Sequence, residues 1–426
     1  MDIRDDRLRP FAFEGNFGLE REALRVTDEG RFALTPHPFP DTPRIVRDFC
    51  ENQTEINTRV HPTTDGALAE LREIDGEIRR TLRALPEPEW LWPFSNPPPI
   101  ASDGEIRSAT FEGRLAGKSQ YRDYLAAKYG RRLMTFCGIH FNFSFGERLL
   151  LRAAEAAGET DLAAYRSRVY LQVAEQLLVW GWAIVPLTAA SPLLDASFFR
   201  HDASGDDFTG MASVRCSEIG YWNHFAPILD FVSVQAYADS IMRYVREGLI
   251  AAPSELYYPI RLKPRGANRL DALVAGGIDH LEVRCLDLNP FTGGLIDERD
   301  VAFIHLLALW CAHQPPARLS ARDQIQAVRN FKNAARYDLE SAEILLPDGR
   351  HGTIRRAGLA VLDRLDDFYA DFPGDVRDVL AFERVKLENS ETRLAVRALD
   401  QFSGTFASKG LSFAKSIDVL PHICNR

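Results

Sequence analysis

The chain has 426 residues, 46% apolar, 10% aromatic and 26% charged, and its 51 Lys and Arg against 60 Asp and Glu leave a net charge of −9. That apolar fraction offsets chain entropy and excludes a disordered protein. The lack of a basic excess argues against a nucleic-acid partner.

The length suits two or three domains, or one large α+β enzyme domain. No Ser/Gly linker, repeat or low-complexity segment divides it, so residues 1–426 are expected to form a single domain. Cys50, Cys137, Cys216, Cys285, Cys311 and Cys424 are scattered and form no CxxC pair. This points to a reducing cytoplasm rather than a disulfide scaffold. The charged start, Met1 to Asp6, does not read as a signal peptide.

In chain order, residues 17–26 read as a strand. Residues 48–55 read either as a helix with Asp48, Glu51 and Glu55 on one face, or as a loop with Glu55 starting a strand. From Asp65 to Leu85, the spacing of Leu68, Leu71, Ile74, Ile78, Leu82 and Leu85 predicts an amphipathic helix. Trp90 to Pro99 is expected to be a rigid surface or site-lining stretch. Strand 138–145 follows, then a buried helix over 160–182. The apolar run Leu177 to Leu194 is long enough to raise the question of a membrane span. It is broken by Pro186 and Pro192, so a buried helix is expected instead and no membrane partner. A helix over Ala236–Glu247 and a strand over 280–287 come next. Ser320 and Asp323 resemble a capping box opening a helix toward Arg336. Pro347–Gly349 reads as a turn, and two or three more helices run to about residue 400. Strands without regular βαβ alternation predict an α+β fold with an antiparallel sheet, mostly helical from about residue 318.

Alternation in a strand puts residues i and i+2 on one face. Glu20 and Glu22 therefore share a face. His140, Asn142 and Ser144 lie opposite Ile139, Phe141, Phe143 and Phe145. Glu282 and Arg284 lie opposite Leu281, Val283 and Cys285. Each strand taken singly fits a solvated polar face; three together suggest one polar cavity. Crowded carboxylates raise one another's pKa unless cations sit between them. Oxygen-rich sites select hard ions such as Mg²⁺, and arginines beside them point to phosphate chemistry. HExxH, GxSxG and GxGxxG are absent. Gly113 to Ser119 is one residue short of a P-loop spacer and has no strand leading into it. His37, His305 and His313 read as structural or exposed.

Eight stretches, in order, resemble the glutamate–cysteine ligase family: Phe17–Val26, Asp48–Glu55, Leu91–Pro97, Tyr121–Gly130, Gly138–Ser144, Arg215–Tyr221, Leu256–Arg261 and Gly276–Phe291. The likeness runs from about residue 14 to 416 and is similar to the ligase portion of bifunctional glutathione-synthesising enzymes. It implies a glutamine-synthetase-like curved antiparallel sheet with surrounding helices. It implies ATP as co-substrate, two or three Mg²⁺ (or Mn²⁺), and L-glutamate and L-cysteine as substrates, with a separate glutathione synthetase acting downstream. By motif position, Glu20, Glu22, Asp48, Glu55, His140 and Glu282 would be metal ligands. Glu20, His140 and Glu282 would face the ATP phosphates, while Glu22 and Glu55 would lie nearer the glutamate carboxylate. Arg215 and Arg284 would be catalytic, and Arg284, Arg261 and Lys263 would meet the nucleotide. Arg215 and Asn142 would seat glutamate; Tyr121, Arg122, Tyr221 and Tyr257 would line the cysteine site.

The implied chemistry needs no protein nucleophile, so the cysteines are not catalytic candidates. One departure stands out: Met134 lies where the family's pattern carries a Gln, and Met cannot replace its hydrogen bonds. Either Thr135 takes that place, or a γ-glutamyl ligase with another acceptor is implied. A catalytically silent binding protein is the reading from another class, and the costly carboxylate set argues against it.

Overall fold

The computed structural model describes residues 1–40, 42–199 and 205–417; Cys424 lies outside them. The strands are β1 (Gly15–Val26), β2 (Ile45–Arg47), β3 (Gln53–Asn57), β4 (Trp90–Leu91), β5 (Ile139–Phe145), β6 (Leu193–Asp195), β7 (Asp206–Phe208), β8 (Ile260–Lys263), β9 (His280–Leu286), β10 (Glu343–Leu345) and β11 (His351–Thr353). Seven of them form one antiparallel sheet in the order β2-β3-β1-β5-β9-β8, with β4 paired to the end of β1. Residues 48–55 are therefore a turn leading into β3, and the helical alternative is excluded.

The helices are α1 (Thr64–Arg83), α2 (Ala116–Tyr129), α3 (Glu147–Ala156), α4 (Leu162–Trp180), α5 (Ile184–Thr188), α6 (Val234–Arg246), α7 (Leu270–Gly276), α8 (Glu298–His313), α9 (Ala321–Ala334), α10 (Ile354–Phe368), α11 (Gly374–Glu388), α12 (Leu394–Phe402) and α13 (Phe406–Ile417). Helix α1 starts where the Thr63 hydroxyl accepts from the Gly66 N–H, and it buries Leu68, Leu71, Ile74, Ile78 and Leu82. At α9 the Ser320–Asp323 capping box is made in both directions. The apolar run 177–194 is divided between α4, a 3₁₀ turn and α5. Among the described residues, no helix is long and apolar enough to cross a membrane.

The sheet has two unlike faces. Phe17, Leu19, Phe141, Phe143, Phe145, Leu281 and Val283 are all buried on one of them, and α1, α4 and α8 pack against it. One apolar cluster built around this face runs from Ile3 to Phe406.

Trp90–Pro99 corrects the sequence expectation. Leu91, Trp92, Phe94, Ser95 and Asn96 are buried, so the segment is an internal strut rather than a surface stretch. Its prolines lack N–H donors and cost nothing by being buried without a ladder. Several of its polar groups tie it to its neighbours. The Asn96 amide donates to the Ser191 and Leu193 carbonyls at 3.0 and 2.6 Å, and the Trp92 indole donates to the Asn96 carbonyl at 2.8 Å. The Ser95 hydroxyl accepts from the Leu288 N–H at 2.8 Å, tying the strut to the end of β9. The near-P-loop at Gly113–Ser119 is a 3₁₀ turn running into α2, with no strand before it.

Candidate active site

Directly opposed residues in an antiparallel ladder share a face. The register opposes Glu20 to His140, Glu22 to Glu55, Asn142 to Glu282, and Arg261 to Glu282. Five strands thus deliver their polar alternates to one surface. The β5–β9 pairing shifts register between Ile139 and Phe141. Such a bulge re-aims side chains locally, and His140 lies within it.

His140 is at the centre. Its Nδ1 is 2.9 Å from Glu20 Oε2 and 3.8 Å from Glu282 Oε1, and its Nε2 is 3.9 Å from Glu22 Oε1. One ligand atom from each of Glu20, His140 and Glu282 lies within 4.8 Å of the others. Asn142 Nδ2 donates to Glu20 Oε1 at 3.0 Å. Around Glu282 stand three cations: Arg284 Nη1 at 2.9 Å, Lys263 Nζ at 3.1 Å and Arg261 Nε at 3.9 Å. Glu22 Oε2 accepts from the Gly138 N–H at 2.9 Å. Asp48 and Glu55 lie at the acidic end beside Glu22, outside the three-residue cluster.

The electrostatics divide the surface in two. Burial would raise Glu282, but Arg284, Lys263 and Arg261 hold it well below the usual carboxylate range. Burial opposes ionisation of Glu20 as well, but the hydrogen bond from His140 and the charges of His140 and Lys263 together hold it below the usual carboxylate range. Burial, then the charge of Asp48, push Glu22 up to about 8; burial with Asp48, Glu20 and Glu22 raises Glu55 well above normal. Burial and Arg284 lower His140, which favours the neutral imidazole a metal ligand needs. Carboxylates that obstruct one another's ionisation, with one neutral His among them, are the donor set a hard divalent cation relieves. The residues therefore fit Mg²⁺ or Mn²⁺.

Arg215 enters from a separate loop. Its Nη1 donates to the Arg284 and Leu286 carbonyls at 2.8 and 3.4 Å, and its Nη2 lies 3.5 Å from His140 Nε2. Gly138 makes room for it: a Cβ there would meet the guanidinium at 2.3 Å. A cavity of about 50 Å³ opens beside Arg215 and Arg284, walled by Tyr221, Trp222, Tyr257 and the thiols of Cys216 and Cys285. Trp222, Cys216 and Cys285 were not among the expected site residues; their adjacency to Tyr221, Arg215 and Arg284 was the available signal. A larger cavity of about 820 Å³ lies between α4, α6 and residues 316–321, and holds none of these groups.

Two expected residues sit further out. The Tyr121 hydroxyl accepts from Ser254 Oγ at 3.1 Å. The Arg122 guanidinium donates to the Asp48 carbonyl and, at 3.2 Å, to the Arg47 carbonyl, and it stacks on Phe111. It braces the turn carrying Asp48. Met134 is buried in the apolar core, and the Thr135 hydroxyl is spent on the Arg132 carbonyl at 2.6 Å. Cys50, Cys137, Cys216, Cys285 and Cys311 are buried free thiols.

A family model described as glutamate-cysteine ligase matches residues 2–248 and 227–334. The bifunctional glutathione-biosynthesis protein GshAB of Listeria monocytogenes is 34% identical over 414 residues, covering 93% of this chain and 53% of that protein. GshAB of Enterococcus faecalis is 36% identical over 316 residues, 72% of this chain and 41% of that protein. The chain thus spans about half the length, or less, of the curated relatives it matches. Among solved structures, the glutamate–cysteine ligase of Francisella tularensis in complex with AMP superposes with a TM-score of 0.85 at 22% identity, over 95% of this chain and 88% of that one. A bifunctional glutathione synthetase from Pasteurella multocida gives 0.82 at 27%, over 98% and 54%. The α+β antiparallel architecture is shared with both.

Proposed function

The chain belongs to the glutamate–cysteine ligase family, and from that premise we propose that it joins the γ-carboxylate of L-glutamate to the amine of L-cysteine at the expense of ATP, the first step of glutathione synthesis. The observation that carries this reading is the Glu20–His140–Glu282 cluster ringed by Arg284, Lys263, Arg261 and Arg215. It pairs a hard-cation donor set with fixed cations, as a site that receives two anions requires. That the Francisella ligase was solved in complex with AMP supports nucleotide use by this chain.

Mg²⁺ would be held by Glu20, His140 and Glu282, and by Glu22 and Glu55 with Asp48 behind them; when bound it supplies neutralisation of phosphate charge. The protein's own groups do the rest. Lys263 and Arg261 with Arg284 screen the nucleotide phosphates. Asn142 and Arg215 seat glutamate so that its γ-carboxylate meets the terminal phosphate. Arg284 and Arg215 stabilise charge as the γ-glutamyl phosphate forms and as the acceptor amine then displaces phosphate from it. The cavity beside Tyr221 and Tyr257 takes the acceptor, with Tyr121 at its outer edge. Arg122 acts by bracing the Asp48 turn rather than by touching substrate.

A γ-glutamyl ligase with another acceptor is favoured by one observation: residue 134 offers a buried thioether and residue 135 a hydroxyl already in use. ADP release across an amino-acid panel with glutamate and Mg·ATP decides between the two. Release with cysteine well above the panel supports the first; release with another amine and none with cysteine replaces it. The GshAB relatives are bifunctional, so the expectation of a separate synthetase partner is dropped. A cytoplasmic location is proposed from the five buried, unpaired thiols.

A further inference from the structure

The acceptor wall is carried by three separate stretches: α2 with Tyr121, the loop with Tyr221, and the segment ending at Tyr257. All three converge on one fully buried residue, Glu255, through its carboxylate on the α2 side and its main-chain carbonyl on the Tyr221 side; it belongs to none of the groups used above. Its Oε1 accepts from the Tyr129 hydroxyl at 2.8 Å, from the Tyr124 hydroxyl at 3.4 Å and from Lys128 Nζ, all on α2. Its Oε2 accepts from the Ala251 N–H at 2.6 Å.

Asn223, two residues past Tyr221, closes the knot. Its Nδ2 donates to the Glu255 carbonyl at 2.8 Å and to the Tyr129 hydroxyl at 3.2 Å, and its Oδ1 accepts from the Tyr257 N–H at 2.9 Å. The rings continue the chain. Tyr129 meets Tyr257 edge-on at 5.2 Å, and Tyr257 meets Tyr221 at 4.9 Å. The Tyr257 hydroxyl is buried and makes no hydrogen bond within the protein, which is uncommon for a buried polar atom outside a binding site.

We propose that the Glu255–Asn223–Tyr129 knot is the positioning element of the acceptor subsite: it sets the mutual placement of Tyr121, Tyr221 and Tyr257 and so governs capture of the amine. The inference rests on the ligase reading above. No member of the knot is hydrogen-bonded to the acid cluster of β1, β5 and β9, so its effect is confined to one of three substrates. Buried bonds to a charged acceptor and sub-ångström placement both carry large factors.

The test is steady-state ADP release by the full chain, with ATP, glutamate and the acceptor amine varied in turn. Glu255→Gln is expected to raise the acceptor KM about 10-fold, and the milder Tyr129→Phe about 3-fold, with the ATP and glutamate KM each held within about 2-fold. Three KM values rising together would mark a general structural role and overturn the proposal. So would an unchanged acceptor KM in Tyr129→Phe, even if Glu255→Gln fails to fold. Wild-type protein that releases no ADP with any amine defeats the ligase reading and this inference with it, a result distinct from normal turnover with a flat acceptor KM.

Discussion

Glu20 and Arg21 are neighbours in β1, yet they belong to two charged clusters of opposite character. Arg21 points to the apolar side of the sheet, 1% exposed, where Asp75 of α1 takes its guanidinium. Arg79 completes that cluster, its Nε 2.7 Å from Asp75 Oδ2 and its Nη2 donating to the Gly293 carbonyl at 2.9 Å. One carboxylate lies between two guanidiniums, and helix α1 closes over it. On the other side, Glu20 joins four more carboxylates, one imidazole and four cations, distributed unevenly. Glu282 is over-compensated, while burial and Asp48 suppress the ionisation of Glu22, and burial with Asp48, Glu20 and Glu22 that of Glu55. Burial of charge is common to both clusters. What marks the proposed ligand-binding one is local imbalance, which an ion and two anionic substrates would correct.

If the rear cluster is structural, Asp75→Ala removes the carboxylate that Arg21 and Arg79 share and costs about 3–5 kcal/mol. Chemical denaturation measures it, and a loss under about 1 kcal/mol would break the contrast.

His305 tests the apolar side a second way. It is buried against Phe17, Phe143 and Phe145, and burial lowers its pKa from 6.5 to about 4. Its folded value lies below its unfolded one. The unfolded chain therefore takes the proton first, and stability present above pH 6.5 is lost as pH falls toward 4. The loss attributable to this residue is about 3 kcal/mol. In His305→Leu that part of the acid slope should vanish from a plot of stability against pH.

On the ligand side, Glu282→Gln should lose about 100-fold in turnover, about 2.7 kcal/mol of transition-state stabilisation, with a raised Mg²⁺ requirement. Wild-type stability should also gain about 2.7 kcal/mol at Mg²⁺ concentrations near 100 times Kd. A thermal melt with and without EDTA reads this, and a gain equally large in Glu20→Gln would remove Glu20 from the ligand set. The smallest effect belongs to a control remote from both clusters. Ser320→Ala breaks the α9 capping box and should cost about 1 kcal/mol with kcat and KM unchanged.

Much of this was legible in the chain. The spacing of Leu68, Leu71, Ile74 and Ile78 located α1, and alternation in 138–145 separated His140 and Asn142 from the phenylalanines. Arg21 was passed over because it sits between two glutamates, although by the same alternation it had to face the core. The prolines of Trp90–Pro99 suggest a surface or site-lining stretch, because proline marks loops on average; burial overturns the surface alternative, and the missing N–H groups are what allow it. Asn223 and Glu255 carry no local pattern; their partners lie up to 131 residues away in sequence.

The sequence by itself determined which side chains share a face within each strand, because that depends on backbone sterics with a period of two. Only the tertiary structure decided that Glu20 opposes His140 and that Glu282 lies beside both. Strand order and register come from hydrogen bonds between distant segments and from the fit of one apolar face against α1, α4 and α8, and no local pattern encodes those.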